Sequence, residues 1–314
     1  MISPLTFGIV LQLGAFFLFT TMDTAAKWLV AAAIPAIQVA FVRYAVHFGW
    51  ALVLHLPRQG GAMFRSATPR LQVLRGVSLL LATVLNFTAL TYLPLATAIS
   101  ILFAAPLVVC LLSVPVLGEK VGVRRLAAVL AGLFGVLIIV DPWGEGFDRH
   151  MLLSLGAMLG ASSYFVLTRR IAGIDSNAVT QCYTAGVAAL ALAVPTAFLW
   201  VWPSGAVQWA LLIMIGSFGM LGHTMLTRAH DKVEASVLAP MIYSQILYAT
   251  LFGWLLFDSV PDARTALGVL IIVASGLYVW LRERRLALPA GPITGPVPAD
   301  RGDGSRAPPR DLPG

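Results

Sequence analysis

Residues 13–27 run LGAFFLFTTMDTAAK, and 142 positions later residues 155–169 run LGAMLGASSYFVLTR. Leu13-Gly14-Ala15 falls on Leu155-Gly156-Ala157, Thr20-Thr21 on Ser162-Ser163, and Lys27 on Arg169. A shift of 139 pairs Ala96 with Ala235, Glu119 with Asp258, Val121 with Val260 and Arg125 with Arg264, so the repeat covers most of the chain. Two near-equal shifts over long apolar runs describe one unit used twice.

The runs around these stretches are membrane-like. The 314 residues are 59% hydrophobic and only 11% charged, with a mean hydropathy of +0.86. A soluble domain is about half apolar and a quarter charged. A span needs about 20 apolar residues, and Gly, Pro and charged punctuation divides the chain near 5–25, 34–56, 71–91, 95–115, 123–140, 150–168, 178–201, 205–226, 235–257 and 263–282. The reading is an all-α polytopic membrane protein of 10 transmembrane helices, with a first repeat over 1–141 and a second over 149–283. An odd number of spans per half inverts the second copy relative to the first, the plan of many secondary transporters, with the cargo site at the midplane between the halves.

The net charge of +7 belongs to short clusters between apolar runs, which reads as topology rather than nucleic-acid binding. With the N-terminus in the cytoplasm, Arg58, Arg65, Arg70, Arg75, Lys120, Arg124, Arg125, Arg169, Arg170, Arg228, Lys232, Arg282, Arg284 and Arg285 lie on the inner side, and Lys27, Arg149 and Arg264 on the outer. This bias places the chain in the inner membrane with both termini cytoplasmic. Met1-Ile2-Ser3-Pro4-Leu5 carries no basic region of a signal peptide, so the first span is expected to be retained. Trp143, Trp200 and Trp202 sit where an outer aromatic belt would be. The Pro- and Gly-rich stretch 287–314 is expected to be a disordered cytoplasmic tail. Cys110 and Cys182 lie in apolar runs with no paired spacing, so neither a disulfide nor a metal site is signalled.

The run Ala89-Leu90-Thr91-Tyr92-Leu93-Pro94-Leu95-Ala96-Thr97-Ala98, followed by Ala104-Ala105-Pro106 and Leu117-Gly118-Glu119-Lys120-Val121, resembles the EamA modules of the drug/metabolite transporter superfamily. Met22-Asp23-Thr24-Ala25-Ala26-Lys27 and Phe41-Val42-Arg43-Tyr44 resemble the family as well. In the second half Phe257-Asp258 stands for Gly-Glu, and Val233-Glu234-Ala235-Ser236 for the Leu-Pro-Leu-Ala turn. The resemblance implies metabolite transport with both termini inside. The Asp-x3-Lys first span and the Arg-Tyr-x2-His second span are most similar to the proteobacterial riboflavin-transporter branch. Riboflavin or a similarly planar metabolite is the cargo this implies; export of amino acids or related metabolites is the alternative.

Arg43 falls inside the second span, where it needs a partner or a ligand, so it is either a cargo contact or a structural tie. His47, four residues on, shares its helical face, with Tyr44 beside it. Asp23 and Lys27 are also four apart and are expected to form a charge pair or gate. The alternative is that Asp23 meets Arg43 across helices. Asn86, Gln181, Gln245 and Gln38 supply hydrogen bonds without charge, and Tyr164 with other aromatics suits a planar cargo. The substrate-binding candidates are therefore Arg43, Tyr44, His47, Asn86, Tyr164 and Gln245. No cofactor, metal or catalytic residue is expected. Membrane enzymes need clustered carboxylates, a histidine-rich metal set or a nucleophile with its base, and the histidines at 47, 55, 150, 223 and 230 are scattered.

Overall fold

The computed structural model describes residues 4–118, 122–144, 147–171, 173–230 and 239–287. Within these the chain is helical: α1 (Pro4–Ala31), α2 (Ala36–Gln59), α3 (Pro69–Tyr92), α4 (Leu95–Leu102), α5 (Ala105–Leu117), α6 (Val123–Val140), α7 (Met151–Arg170), α8 (Asn177–Leu199), α9 (Ala206–His230), α10 (Ser244–Phe257) and α11 (Ala263–Ala287). Short 3-10 turns at Gly60–Phe64 and Ala239–Tyr243 precede α3 and α10. Apart from Ala287, the tail expected to be disordered lies outside the described residues. So do Glu119 and Lys120 and the second-half turn at 233–236.

Proline sets several boundaries. Pro35 and Pro94 precede α2 and α4 with extended backbone, and Pro69 opens α3. A proline in a first helical turn lacks only an N–H that would have had no partner there. Pro106 opens α5 and interrupts the fourth apolar run, so that α4 stops at Leu102. Across the bundle, the Ser162 hydroxyl of α7, which donates to the Met158 carbonyl at 2.7 Å, also lies 3.2 Å from the Ala105 carbonyl at the start of α5.

Among the described residues, eight helical segments are long and apolar enough to cross a bilayer, the interrupted Leu95–Val116 included. The apolar parts of the other two, Leu126–Val140 and Met241–Phe257, are shorter. At 1.5 Å per residue the first of these rises about 22 Å against a hydrocarbon core of about 30 Å. Among the described residues the ten expected spans thus correspond to eight full-length segments and two shorter ones.

The packing repeats between halves. α3 lies along α7, and its counterpart α9 lies just as extensively along α1; α2 packs on α8, α6 on α11, and α4 on α10. Exchanging the two halves returns the same set of pairs. One correspondence shifts by a residue: α5 and α10 both end on a left-handed residue, Gly118 (φ 72°) and Asp258 (φ 48°). Asp258 therefore matches Gly118 in backbone, not Glu119, and Asp is among the few residues that tolerate this conformation.

Candidate functional site

The inner face of α3 is polar along its length. Gln72, Arg75, Thr83 and Asn86 are all buried and, with the Leu79 and Leu90 carbonyls, recur at helical three- and four-residue spacing. Against this face α2 sets Arg43, Tyr44 and His47, all buried. The Arg43 guanidinium donates from Nη1 to Thr83 Oγ1 at 2.5 Å and from Nε to Met22 Sδ at 3.2 Å, and lies 4.7 Å from the Tyr44 ring centroid. Tyr44 shares a hydrogen bond with Thr83 at 2.7 Å and reaches the Leu79 carbonyl at 3.0 Å. Asp23, within electrostatic reach of Arg43, accepts from Asn86 Nδ2 at 3.2 Å.

The second half completes the cluster. His47 Nε2 pairs with Gln181 Oε1 of α8 at 3.0 Å, and its ring stacks on His223 of α9 at 6.0 Å. His223 in turn meets Tyr164 of α7 edge-on at 6.5 Å. Arg75 is clasped by three hydroxyls of the second half: Nε donates to Thr168 at 2.6 Å, Nη1 to Thr184 at 2.6 Å, and Nη2 to Tyr164 at 2.8 Å. A continuous polar seam therefore joins the halves inside a molecule whose outer helix faces are apolar.

Arg43, Tyr44, His47, Asn86 and Tyr164 all lie in this seam. Gln245 does not join it by any hydrogen bond among the described residues; it sits in the first turn of α10, beside the second interrupted segment. Of the two readings of Asp23, the structure places it with Asn86 and near Arg43, rather than with Lys27. The expected Asp23–Lys27 pair is not formed. Lys27 donates instead to the carbonyls of Leu90 and Leu93, at 3.2 and 2.7 Å, where α3 ends and leaves carbonyls unpaired.

Arg75, counted in the sequence among the basic residues of the inner side and within the span expected over 71–91, proves to be buried. It lies six residues into α3 and is 4% exposed. Gly160 and Gly216 act as helix contacts. A side chain at Gly160 would press on the Ser78 carbonyl and the Ala82 backbone, both 3.0 Å from the added carbon.

Each end of the seam is tied across the halves. Between α2 and α3, Ser66 and the Ala67 N–H donate to Asp175, in the α7–α8 connection, at 2.5 and 2.9 Å, and Gln72 adds a third bond at 2.9 Å. Partial desolvation works to raise the Asp175 pKa, but hydrogen bonds from Gln72, Ser66, Ala67 and Thr68 outweigh it and hold the carboxyl below its usual range. A carboxyl lowered in this way keeps its bonds at neutral pH and loses them only as the pH falls through its folded value. At the other end, Gln38 of α2 makes paired bonds of 2.8 Å with the backbone of Val201, and Tyr92 stacks on His150 at 3.8 Å. Arg264 pairs with Asp141 at the same end.

The EamA-like transporter family matches residues 6–141 and again 149–281. A pseudopaline exporter of Pseudomonas aeruginosa is 33% identical over 273 residues, 85% of this chain and 94% of its own. A riboflavin transporter of Vibrio cholerae is 31% identical, covering 81% of this chain and 88% of its own. An S-adenosylmethionine uptake transporter of Rickettsia bellii is 26% identical over 79% and 84% of the two chains. A solved protein crystal structure aligns at a TM-score of 0.61 with 22% identity, over 89% of this chain and 98% of that one.

Proposed function

Since the chain belongs to the EamA-like transporter family, we propose that it is a secondary transporter moving a small organic metabolite across the bacterial inner membrane by alternating access. The observation that carries this reading is the seam itself: a buried cluster of charged, hydroxyl and imidazole groups drawn from both halves, tied shut at each end by separate hydrogen bonds. In the proposed cycle one set of ties opens while the other holds, so the cluster faces one side at a time. The interruption between α4 and α5, and the 3-10 turn before α10, lie in corresponding places, with Phe103 and Tyr243 at 6.2 Å. Paired interrupted segments point to a cargo site in proteins of this plan.

The two short apolar segments are assigned here as the remaining crossings, for ten in all, with the second repeat inverted and both termini cytoplasmic. A cysteine placed at Trp143, which is 86% exposed, should then react with an impermeant maleimide from the periplasm. One at Gly61, which has open space around it, should not. Reaction of both from the same side would contradict this topology.

The cargo to assay first is riboflavin or a comparably planar metabolite. The relatives that transport riboflavin support it, as does the row of rings formed by His47, His223 and Tyr164. A riboflavin-auxotrophic bacterium expressing this chain should grow at limiting vitamin. Absence of growth with the protein verified in the membrane would favour the second reading, export of an amino-acid-like metabolite, to which the pseudopaline exporter relative lends support.

The Asp175 ties are assigned to the cytoplasmic gate. Cys182, buried beside Met63 and Ala178 near these ties, is a native reporter of their opening. In a Cys110→Ala background, Asp175→Asn should increase maleimide labelling of Cys182 severalfold. Unchanged labelling would remove Asp175 from the gate.

A further inference from the structure

The buried charges of the described residues do not balance. Arg43 and Arg75 are both buried, and Asp23 is the one buried carboxylate. Asp23 lies near Arg43, whereas among the described residues no carboxylate contacts Arg75. The three groups that hold Arg75 are neutral. Thr168 and Thr184 have already donated their protons to the carbonyls of Tyr164 and Thr180, each at 2.7 Å, and turn only lone pairs to the guanidinium. Tyr164 receives the third N–H on its oxygen, and its own proton has no acceptor among the described residues.

A guanidinium carries five N–H donors in a planar fork. Two of those of Arg75 are left over, beside a tyrosine O–H that also has a proton to give. These donors are the complement of an oxyanion, the species with which arginine forms its strongest bonds. Farther along the seam the unsatisfied atoms have the opposite sense. His47 Nδ1 and Asn86 Oδ1 are buried without a partner. Because His47 Nε2 faces the acceptor Gln181 Oε1, the neutral ring carries its proton there, and Nδ1 remains an acceptor.

We infer that Arg75 with Tyr164 forms an oxyanion subsite, and that the cargo is an organic metabolite bearing a carboxylate or a phosphate, with N–H or O–H groups that meet His47 Nδ1 and Asn86 Oδ1. The inference rests on the transporter reading and narrows its cargo. It ranks charged planar metabolites above riboflavin itself, which has the ring and the hydroxyls but no ionised group. The rings of Tyr164 and His223 lead from Arg75 to His47, so one molecule with an acidic end and a donor-bearing body would meet both of these, and an elongated one would extend toward Asn86, about 16 Å along α3 from Arg75.

The test uses the full chain purified in detergent and two pairs of probes that differ in the oxyanion. Flavin mononucleotide beside riboflavin tests a phosphate, and tryptophan beside tryptamine tests a carboxylate. A ligand that binds the folded state raises its apparent Tm. The anionic member of at least one pair should raise the Tm by several degrees more than its partner. Arg75→Gln should weaken that ligand at least about tenfold, the usual size of a lost charged hydrogen bond, with Arg75→Lys falling between. Should Arg75→Gln fail to accumulate, Tyr164→Phe, which removes the spare donor together with the oxygen that accepts one Arg75 N–H, should weaken the same ligand. If neither anionic probe outperforms its partner, or if the preferred anion stabilises Arg75→Gln as well as wild type, the inference is overturned. Riboflavin counterflow without any anion preference would overturn the subsite and leave the transporter reading in place. Binding of an anion that the reconstituted protein then fails to carry would reject the transporter reading and leave the subsite.

Discussion

Arg43→Leu is expected to lower transport at least about 100-fold while the protein reaches the membrane at near wild-type level. The arginine gives Thr83 and Met22 their donors and faces Tyr44 and Asp23. Hydrogen bonds to charged groups contribute about 1.5–3 kcal/mol each, and each 1.4 kcal/mol is about a tenfold factor. Insertion runs in the other direction, because an arginine at membrane depth costs roughly 2.5–3.5 kcal/mol on translocon scales. Arg43→Lys keeps the charge but loses the planar fork, and should retain a fraction of the activity. Normal transport by the leucine variant would remove Arg43 from the cargo path. If instead that variant fails to accumulate and Asp23→Asn restores its level, Arg43 serves chiefly to neutralise Asp23, since a buried charge stripped of its partner costs about 3–5 kcal/mol.

Gly216→Val should be almost as damaging, by a different route. A side-chain carbon at Gly216 would sit 2.8 Å from the Arg43 carbonyl oxygen. It would push α9 away from α2 at the residue on which the seam depends. Overpacking of this kind costs about 1–3 kcal/mol, so the variant should melt several degrees lower and carry little cargo. Gly219→Ala is the control. Its nearest new neighbour is Arg43 Nε at 3.6 Å, an ordinary contact, and alanine favours a helix over glycine by up to about 1 kcal/mol. Equal losses in the two variants would mean that close packing at Gly216 is not what places Arg43.

Much of the fold was legible because membrane spans announce themselves by length and apolarity, and because the Leu13-Gly14-Ala15 repeat exposes the duplication. Pro94 also carried over directly into a helix boundary, whereas Pro106 lay inside the span expected over 95–115 and interrupts it. The site was only partly legible. His47 and Arg43 could be grouped because four residues on one helix always share a face. Their partners Gln181, His223 and Thr83 come from other helices, and helix rotation is set by packing that a single sequence does not display. The Asp23–Lys27 pair failed for a related reason. Both side chains fit the spacing, but the Leu90 and Leu93 carbonyls at the end of α3 offered Lys27 a nearer partner. The burial of Arg75 was not legible from its place near the inner end of the third span, because the hydroxyls of Thr168, Thr184 and Tyr164 that make it tolerable inside all come from the other half.

The most direct measurement of the central claim is counterflow in liposomes containing the purified full chain. Vesicles loaded with unlabelled cargo and diluted into labelled cargo should accumulate label transiently, with riboflavin, flavin mononucleotide and tryptophan tested in turn. An overshoot is expected for at least one of these with the wild-type protein and none with Arg43→Leu. Equal accumulation in protein-free vesicles, or an overshoot that Arg43→Leu leaves unchanged, would contradict transport through the seam between the two halves.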